Sequence, residues 1–196
     1  MDFFTIIFMG RSGCGKGTQV NKLIEHISSV DKHNVLHLEV GGRFRAFIKE
    51  DTYASRLANE ISESGGLQPE FLSIWAWSGE LVQNLNPENH LIIDGAPRRL
   101  SEAKILESVF KFYNRGKIQI VYLNVSKDWA IERMKARGRK DDVEMDDVMT
   151  RMNWFDTDVV AALDYYRAHK SHLFHDINGE QSIEDVHKEI LNSLEI

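Results

Sequence analysis

The stretch Gly10-Arg11-Ser12-Gly13-Cys14-Gly15-Lys16-Gly17-Thr18 constrains this chain more than any other. It follows an apolar run, Phe3 to Met9, rich in β-branched and aromatic residues and short enough to be one buried strand. After it, Val20, Leu23, Ile24 and Ile27 recur at helical spacing. Glycines between a strand and a helix let the backbone curl with several N–H groups pointing inward. The next helix adds its own free N–H groups and the positive end of its dipole. Lys16 then supplies a mobile point charge, so the stretch reads as a phosphate-cradling loop. One feature departs from the general pattern: Gly17 follows the lysine where Ser or Thr is expected, and Thr18 comes one place later. That disfavours direct ligation of Mg²⁺ through this hydroxyl.

Length and charge narrow the remaining choices. A chain of 196 residues suits one domain with small inserts. Only 3 prolines argue against long linkers, and the lone cysteine, Cys14, excludes an internal disulfide and fits a reducing compartment. No stretch reads as a membrane span, and Met1-Asp2-Phe3 lacks a basic leader, so a cytoplasmic protein is expected. A net charge of −6 argues against a nucleic-acid polymer as partner but not against a small anion in a locally positive site.

The rest of the chain alternates strands and helices. Strands are expected at 34–38, 90–94, 117–125 and 172–177. Between them come helical stretches from Arg43 and Ala54, at 70–85, at 101–110 with a capped acidic start at Ser101, and at 128–137. A single long helix is expected over 144–169, and a closing one over 183–194. Gly41-Gly42 reads as a break, Gly65-Gly66-Leu67-Gln68-Pro69 as a turn, and Gly138 as a helix end. Five short apolar strands alternating with helices imply an α/β fold with a five-stranded, mostly parallel sheet covered on both faces. Asp94 closes the strand 90–94, where it holds a metal or caps the next turn. Trp75 and Trp77 diverge on their helix and read as packing residues or, alternatively, an aromatic platform for a base. Cys14 reads as a small loop filler or a thiol acidified by the helix terminus. His172 and His175 fall on opposite strand faces, which disfavours a shared metal.

Taken together these residues resemble the adenylate kinase family of nucleoside monophosphate kinases. Its loop reads G-x-x-G-x-G-K-G-T-Q, matched by Gly10, Gly13, Gly15, Lys16, Gly17, Thr18 and Gln19. Its D-G-F-P-R signature is similar to Asp94-Gly95-Ala96-Pro97-Arg98. Its T-G-D-x-x-R segment is similar to Val40-Gly41-Gly42-Arg43-Phe44-Arg45, with the threonine and aspartate lost.

The resemblance implies a P-loop NTPase fold in a single domain, 1–196, with a monophosphate-binding insert at about 40–70 and a short lid at about 133–142. It also implies Mg²⁺-dependent transfer of the terminal phosphoryl of ATP to a monophosphate, by a monomer. Gly13, Cys14, Gly15, Lys16, Gly17 and Thr18 would hold the ATP phosphates. Lys16, Arg98, Arg133, Arg137, Arg139 and Arg151 would surround the transferring group. Val40, Gly41, Arg45, Leu67, Gln68, Gly95, Arg98 and Glu102 would hold the acceptor, and Asp94 the Mg²⁺, through water. Glu102 stands where AMP-preferring members carry glutamine. A carboxylate suits a base edge with two donors, such as guanine's, yet AMP stays the first-named acceptor. The alternatives are another monophosphate, a small non-nucleotide acceptor, or a regulator that binds nucleotide without turnover. Bending is expected at Gly65-Gly66 and Gly138. Arg43, Arg56 and Arg99 read as surface charges.

Overall fold

The computed structural model describes residues 3–138 and 144–196. Its centre is a five-stranded parallel sheet in the order β2-β3-β1-β4-β5. The strands are β1 (Thr5–Met9), β2 (Val35–Glu39), β3 (His90–Asp94), β4 (Ile118–Asn124) and β5 (His172–Asn178). Parallel strands end on the same side, so the carboxyl ends of β1, β2 and β3 share one rim of the sheet. A rim of this kind, where the strand order reverses, is where open α/β sheets bind ligands.

Alternation along β1 builds two cores. Ile6 and Phe8 point to one face, where Val20, Leu23 and Ile27 of α1 (Lys16–Val30) and Val186, Ile190 and Leu194 of α9 (Ile183–Leu194) cover them. Ile7 and Met9 point to the other, with Trp77 of α4 (Glu70–Asn84) and Leu106 of α5 (Leu100–Phe112). With both faces covered, the strands need near-continuous apolar sequence, as β1 and β3 have.

Three expectations are corrected by the structure. Gly41-Gly42 does not break the chain. Instead α2 (Val40–Phe47) starts directly from β2, with both glycines in its first turn. A Cβ on Gly42 would lie 2.7 Å from the Glu39 carboxylate, so glycine leaves that side chain room to fold back over the turn. A separate helix, α3 (Tyr53–Glu63), follows, opened by a reciprocal capping box between Thr52 and Ser55. Second, Ser101 does not cap α5. The helix begins one residue earlier, after Arg99, and Glu102 closes its first turn by accepting from the Arg98 N–H at 3.3 Å.

Third, the long helix expected over 144–169 is divided. It runs as α7 (Met145–Trp154), a π-turn (Phe155–Val159) and α8 (Val160–Ala168), with the Val160 N–H bonded to the Phe155 carbonyl. Val148 and Met152 join the core under α1, whereas Phe155, Val159 and Tyr166 join the opposite one. The helix thus passes from one layer of the molecule to the other, and the π-turn sits at the crossing. The remaining helix, α6 (Lys127–Arg137), is capped by the Ser126 hydroxyl and ends at Gly138, whose φ of 61° suits a glycine.

Candidate functional site

A cleft of about 1020 Å³ opens along the carboxyl rim of the sheet. Its floor is the phosphate loop: Gly13, Cys14, Gly15, Lys16, Gly17 and Thr18 all line it. The loop's shape depends on glycine at Gly13. There φ is +85°, and a Cβ would lie 2.5 Å from the Ala130 carbonyl of α6. Cys14 is buried against this turn, in keeping with its reading as a filler. The Lys16 ammonium donates to the carbonyls of Gly10 and Arg11, at 2.8 and 2.9 Å.

Asp94 reaches the cleft from the end of β3 and is 8% exposed. Burial pushes its carboxyl pKa up, and the charge of Lys16 opposes the shift. Arg98 lines the wall beyond it, its Nε donating to the Gly95 carbonyl at 2.9 Å. Burial works against the Arg98 charge, while Glu102 and Asp94 work for it. Arg133 and Arg137 enter from α6 and Arg151 from α7. Helical spacing puts the first two on one face, as their i, i+4 separation requires. Arg139 lies outside the described residues, as does most of the turn that follows it.

On the other side, Gly41, Arg45, Gln68 and Gly95 line the cleft. Arg45 is paired with Glu39. Gln68 is fixed by donating to the Ala58 carbonyl at 2.8 Å and the Ser62 hydroxyl at 2.9 Å, which leaves its own buried Oε1 without a hydrogen-bond partner. Three expected residues do not line the cleft. Val40 is part of the core, Leu67 is half-buried outside the cleft lining, and Glu102 is 0% exposed behind Arg98. Burial raises the Glu102 pKa, against the Arg98 N–H bond and the charges of Arg98 and Arg99. Its Oε1, like that of Gln68, has no hydrogen-bond partner.

Several residues at the site carry no signal in the sequence reading. Trp77 is wholly buried and Trp75 packs on Phe47, so neither faces the cleft. The tryptophans that do are Trp129 and Trp154. The Arg133 guanidinium lies 4.7 Å from the Trp129 ring centre, and that of Arg98 5.3 Å from Trp154. Trp154 also donates its indole N–H to the Gly65 carbonyl at 3.1 Å, tying α7 to the 65–68 turn. Arg99 is no surface charge. It donates to the Gln68 carbonyl at 2.9 Å and approaches Glu102 at 3.6 Å and Asp158 at 3.8 Å. Arg43 pairs with Glu80 and Arg56 with Asp51.

Among the described residues, two groups bring histidines and carboxylates together, both near the amino ends of strands and away from the cleft. In the first, the His90 Nδ1 accepts from the Phe4 N–H at 3.1 Å, so its proton sits on Nε2, facing Asp31 at 3.2 Å. With both nitrogens engaged, His90 offers no lone pair for a metal. In the second, His172 meets Glu107 at 2.8 Å, but the His169 and His172 rings stack at 13°, so their in-plane lone pairs do not converge. His175 meets Gln119 instead.

The family model for adenylate kinase matches residues 8–171, a span that takes in the phosphate loop, Asp94 to Arg98 and the arginines of α6 and α7. The chain belongs to the adenylate kinase family. It is 32% identical to adenylate kinase 1 of Nostoc sp. over 189 residues, which covers 96% of this chain and 97% of that protein. It is 29% identical to adenylate kinases of Flavobacterium psychrophilum and Corynebacterium urealyticum, over 98% of each relative. The fold is that of the P-loop kinases of this family, and the chain is a phosphotransferase that binds nucleotide. None of the described helices is long and apolar enough to cross a membrane.

Proposed function

We propose that this adenylate kinase family member transfers the γ-phosphoryl group of ATP to a nucleoside monophosphate, AMP first, to give two nucleoside diphosphates. The observation that carries the reading is one cleft lined at once by Lys16, Asp94, Arg98 and the arginines of two further helices. The acceptor is already an anionic phosphate oxygen, so no general base is required. What the reaction needs is in-line placement and neutralisation of crowded negative charge. In this reading the loop amides of 13–18 and Lys16 hold the ATP phosphates. Arg45 and Arg98 hold the monophosphate, and Arg133, Arg137, Arg139 and Arg151 close over the transferring group. Guanidinium groups suit this role because they stay charged and grip two oxygens at once. Residues 40–70 act as the acceptor-binding insert and 133–142 as a short lid that excludes water.

Asp94 fits a hard cation: it is a carboxylate at the strand end, lining the cleft, whose burial leaves its charge poorly compensated. Mg²⁺ held there, directly or through water, would neutralise charge on the polyphosphate. In the same reading the enzyme works as a cytoplasmic monomer, in keeping with its lone reduced cysteine.

A second acceptor has specific support. The unpartnered Oε1 of Gln68, a cleft-lining residue, is a hydrogen-bond acceptor, which complements a base edge rich in donors, such as that of GMP.

The test is ADP formation measured with ATP, Mg²⁺ and a panel of monophosphates. Turnover with AMP is expected; GMP or a pyrimidine in its place changes the acceptor and keeps the mechanism. No turnover with any monophosphate sinks the reading. Arg98→Ala is expected to lower kcat about a hundredfold or more, as loss of a charge-stabilising group does, with the melting midpoint little changed. An unimpaired variant would show that Arg98 does not hold the acceptor.

A further inference from the structure

Arg11 is a basic residue inside the phosphate loop that does not line the cleft. Its guanidinium is turned away from it. It lies 4.3 Å from the centre of the Phe155 ring, and its Nη1 is 2.7 Å from Asp156 Oδ1. The Arg11 side chain is 17% exposed and that of Asp156 47%, so the pair is an ion pair screened on its Asp156 side, with no hydrogen bond formed. Phe155 and Asp156 open the π-turn, where the helix crosses from one core to the other. Turns of this kind inside α-helices are frequent at functional sites. At its other end the same residue, Arg11, accepts the Lys16 ammonium on its carbonyl at 2.9 Å. One turn before the π-turn, α7 carries Arg151 into the cleft, and Trp154 is bonded to Gly65. Arg11 therefore joins the lysine of the loop to the helix that bears Arg151.

We propose that the Arg11–Asp156 pair, stacked on Phe155, is a positioning device that fixes the phosphate loop against α7 and so sets Lys16 and Arg151 in register across the transferring phosphoryl group. Neither residue is a catalytic residue, since neither faces the cleft. The role rests on the kinase reading above and adds a residue pair to it. Its chemistry is specific: a planar cation held over a ring and ion-paired is more restricted than a lysine in its place would be.

The experiment is a double-mutant cycle of Arg11→Met, Asp156→Asn and the two combined. Arg11→Met keeps an apolar stem on Phe155 and removes the charge. Asp164→Asn, which breaks the exposed pair between Asp164 and Arg167 on α8, serves as the control. Each single variant is expected to lower kcat about tenfold, in the range that misplacing a catalytic group costs, with KM for both nucleotides within about twofold. The double variant is expected to lose no more than either single, and Asp156→Glu to regain part of the loss. Additive losses, or a rise in KM with kcat intact, would overturn the proposal.

Hydrogen exchange supplies a readout independent of turnover. Faster exchange of the loop amides 12–18 is expected in both single variants and not in Asp164→Asn, whereas unchanged loop exchange overturns the proposal even if wild-type protein turns over no monophosphate. A wild-type protein without turnover but with the expected exchange pattern would instead remove the kinase reading and leave the coupling in place.

Discussion

Glu102 is a buried carboxylate directly behind the Arg98 of the cleft. It is wholly buried, its pKa is raised by that burial, and its Oε1 has the Arg99 guanidinium at 3.6 Å but no hydrogen bond. A raised carboxyl pKa means that the folded state holds the proton at pH values where the unfolded chain has lost it. The stability this gives is complete in acid and is lost as pH rises through the folded value. Glu102→Gln removes that penalty while keeping an acceptor for the Arg98 N–H. The variant is expected to melt higher than wild type at about pH 7, by thermal denaturation, and its advantage is expected to shrink on acidification. Because Glu102 lies behind Arg98 and does not line the cleft, the ratio of kcat/KM for AMP and GMP is expected to stay unchanged; a shift in that ratio would show that Glu102 reads the base.

The same scale shows where single residues were legible. Lys16, Asp94 and Arg98 sit where their motifs put them, since each motif fixes a backbone path. Trp154 and Arg99 gave no signal, because their partners, Gly65 and Gln68, are distant in sequence and meet them only after folding.

At the scale of elements, the 65–68 turn and α7 meet with no space to spare. Gly65 has a φ of +65°, and a Cβ there would lie 2.5 Å from the Asp147 carbonyl. Backbone blocks the new atom, so no rotamer change can relieve it. Gly65→Ala is expected to cost about 2–3 kcal/mol, the range of a severe backbone conflict, and to lower the melting midpoint accordingly. It is also expected to raise KM for the monophosphate more than for ATP, because the turn borders Gln68 and Ser62 on the acceptor side of the cleft. Equal changes in both KM values would place the turn's role elsewhere.

Most elements were readable from periodicity: the strands, α1, α4, α6 and α9 fall within a few residues of expectation. The π-turn was not, because its apolar stripe, Val148, Met152, Phe155, Val159 and Tyr166, has ordinary helical spacing. Only the two cores it bridges reveal why the helix is interrupted there. The Gly41-Gly42 pair misleads for a related reason: glycine signals a break in isolation, yet here it makes room for Glu39.

For the whole molecule, three partly or wholly desolvated histidines work against stability in acid. Burial lowers the pKa of His90, His175 and His187. A depressed histidine pKa means that the unfolded chain binds protons the native state refuses, so stability falls as pH drops through the ordinary histidine range. The melting midpoint is expected to be several degrees lower at about pH 5.5 than at about pH 7.5, followed by calorimetry. His90→Gln is expected to flatten that slope; an unaltered slope would assign the loss in acid to other groups.

The strand order carries a consequence for how the protein is made. β1 is the middle strand, flanked by β3 and β4. The loop that follows it is wedged against later chain: a Cβ on Gly10 would lie 2.8 Å from the Leu123 carbonyl, and one on Gly13 would meet Ala130 and Met134. During synthesis this loop therefore cannot settle against its neighbours until the chain through Met134 has left the exit tunnel.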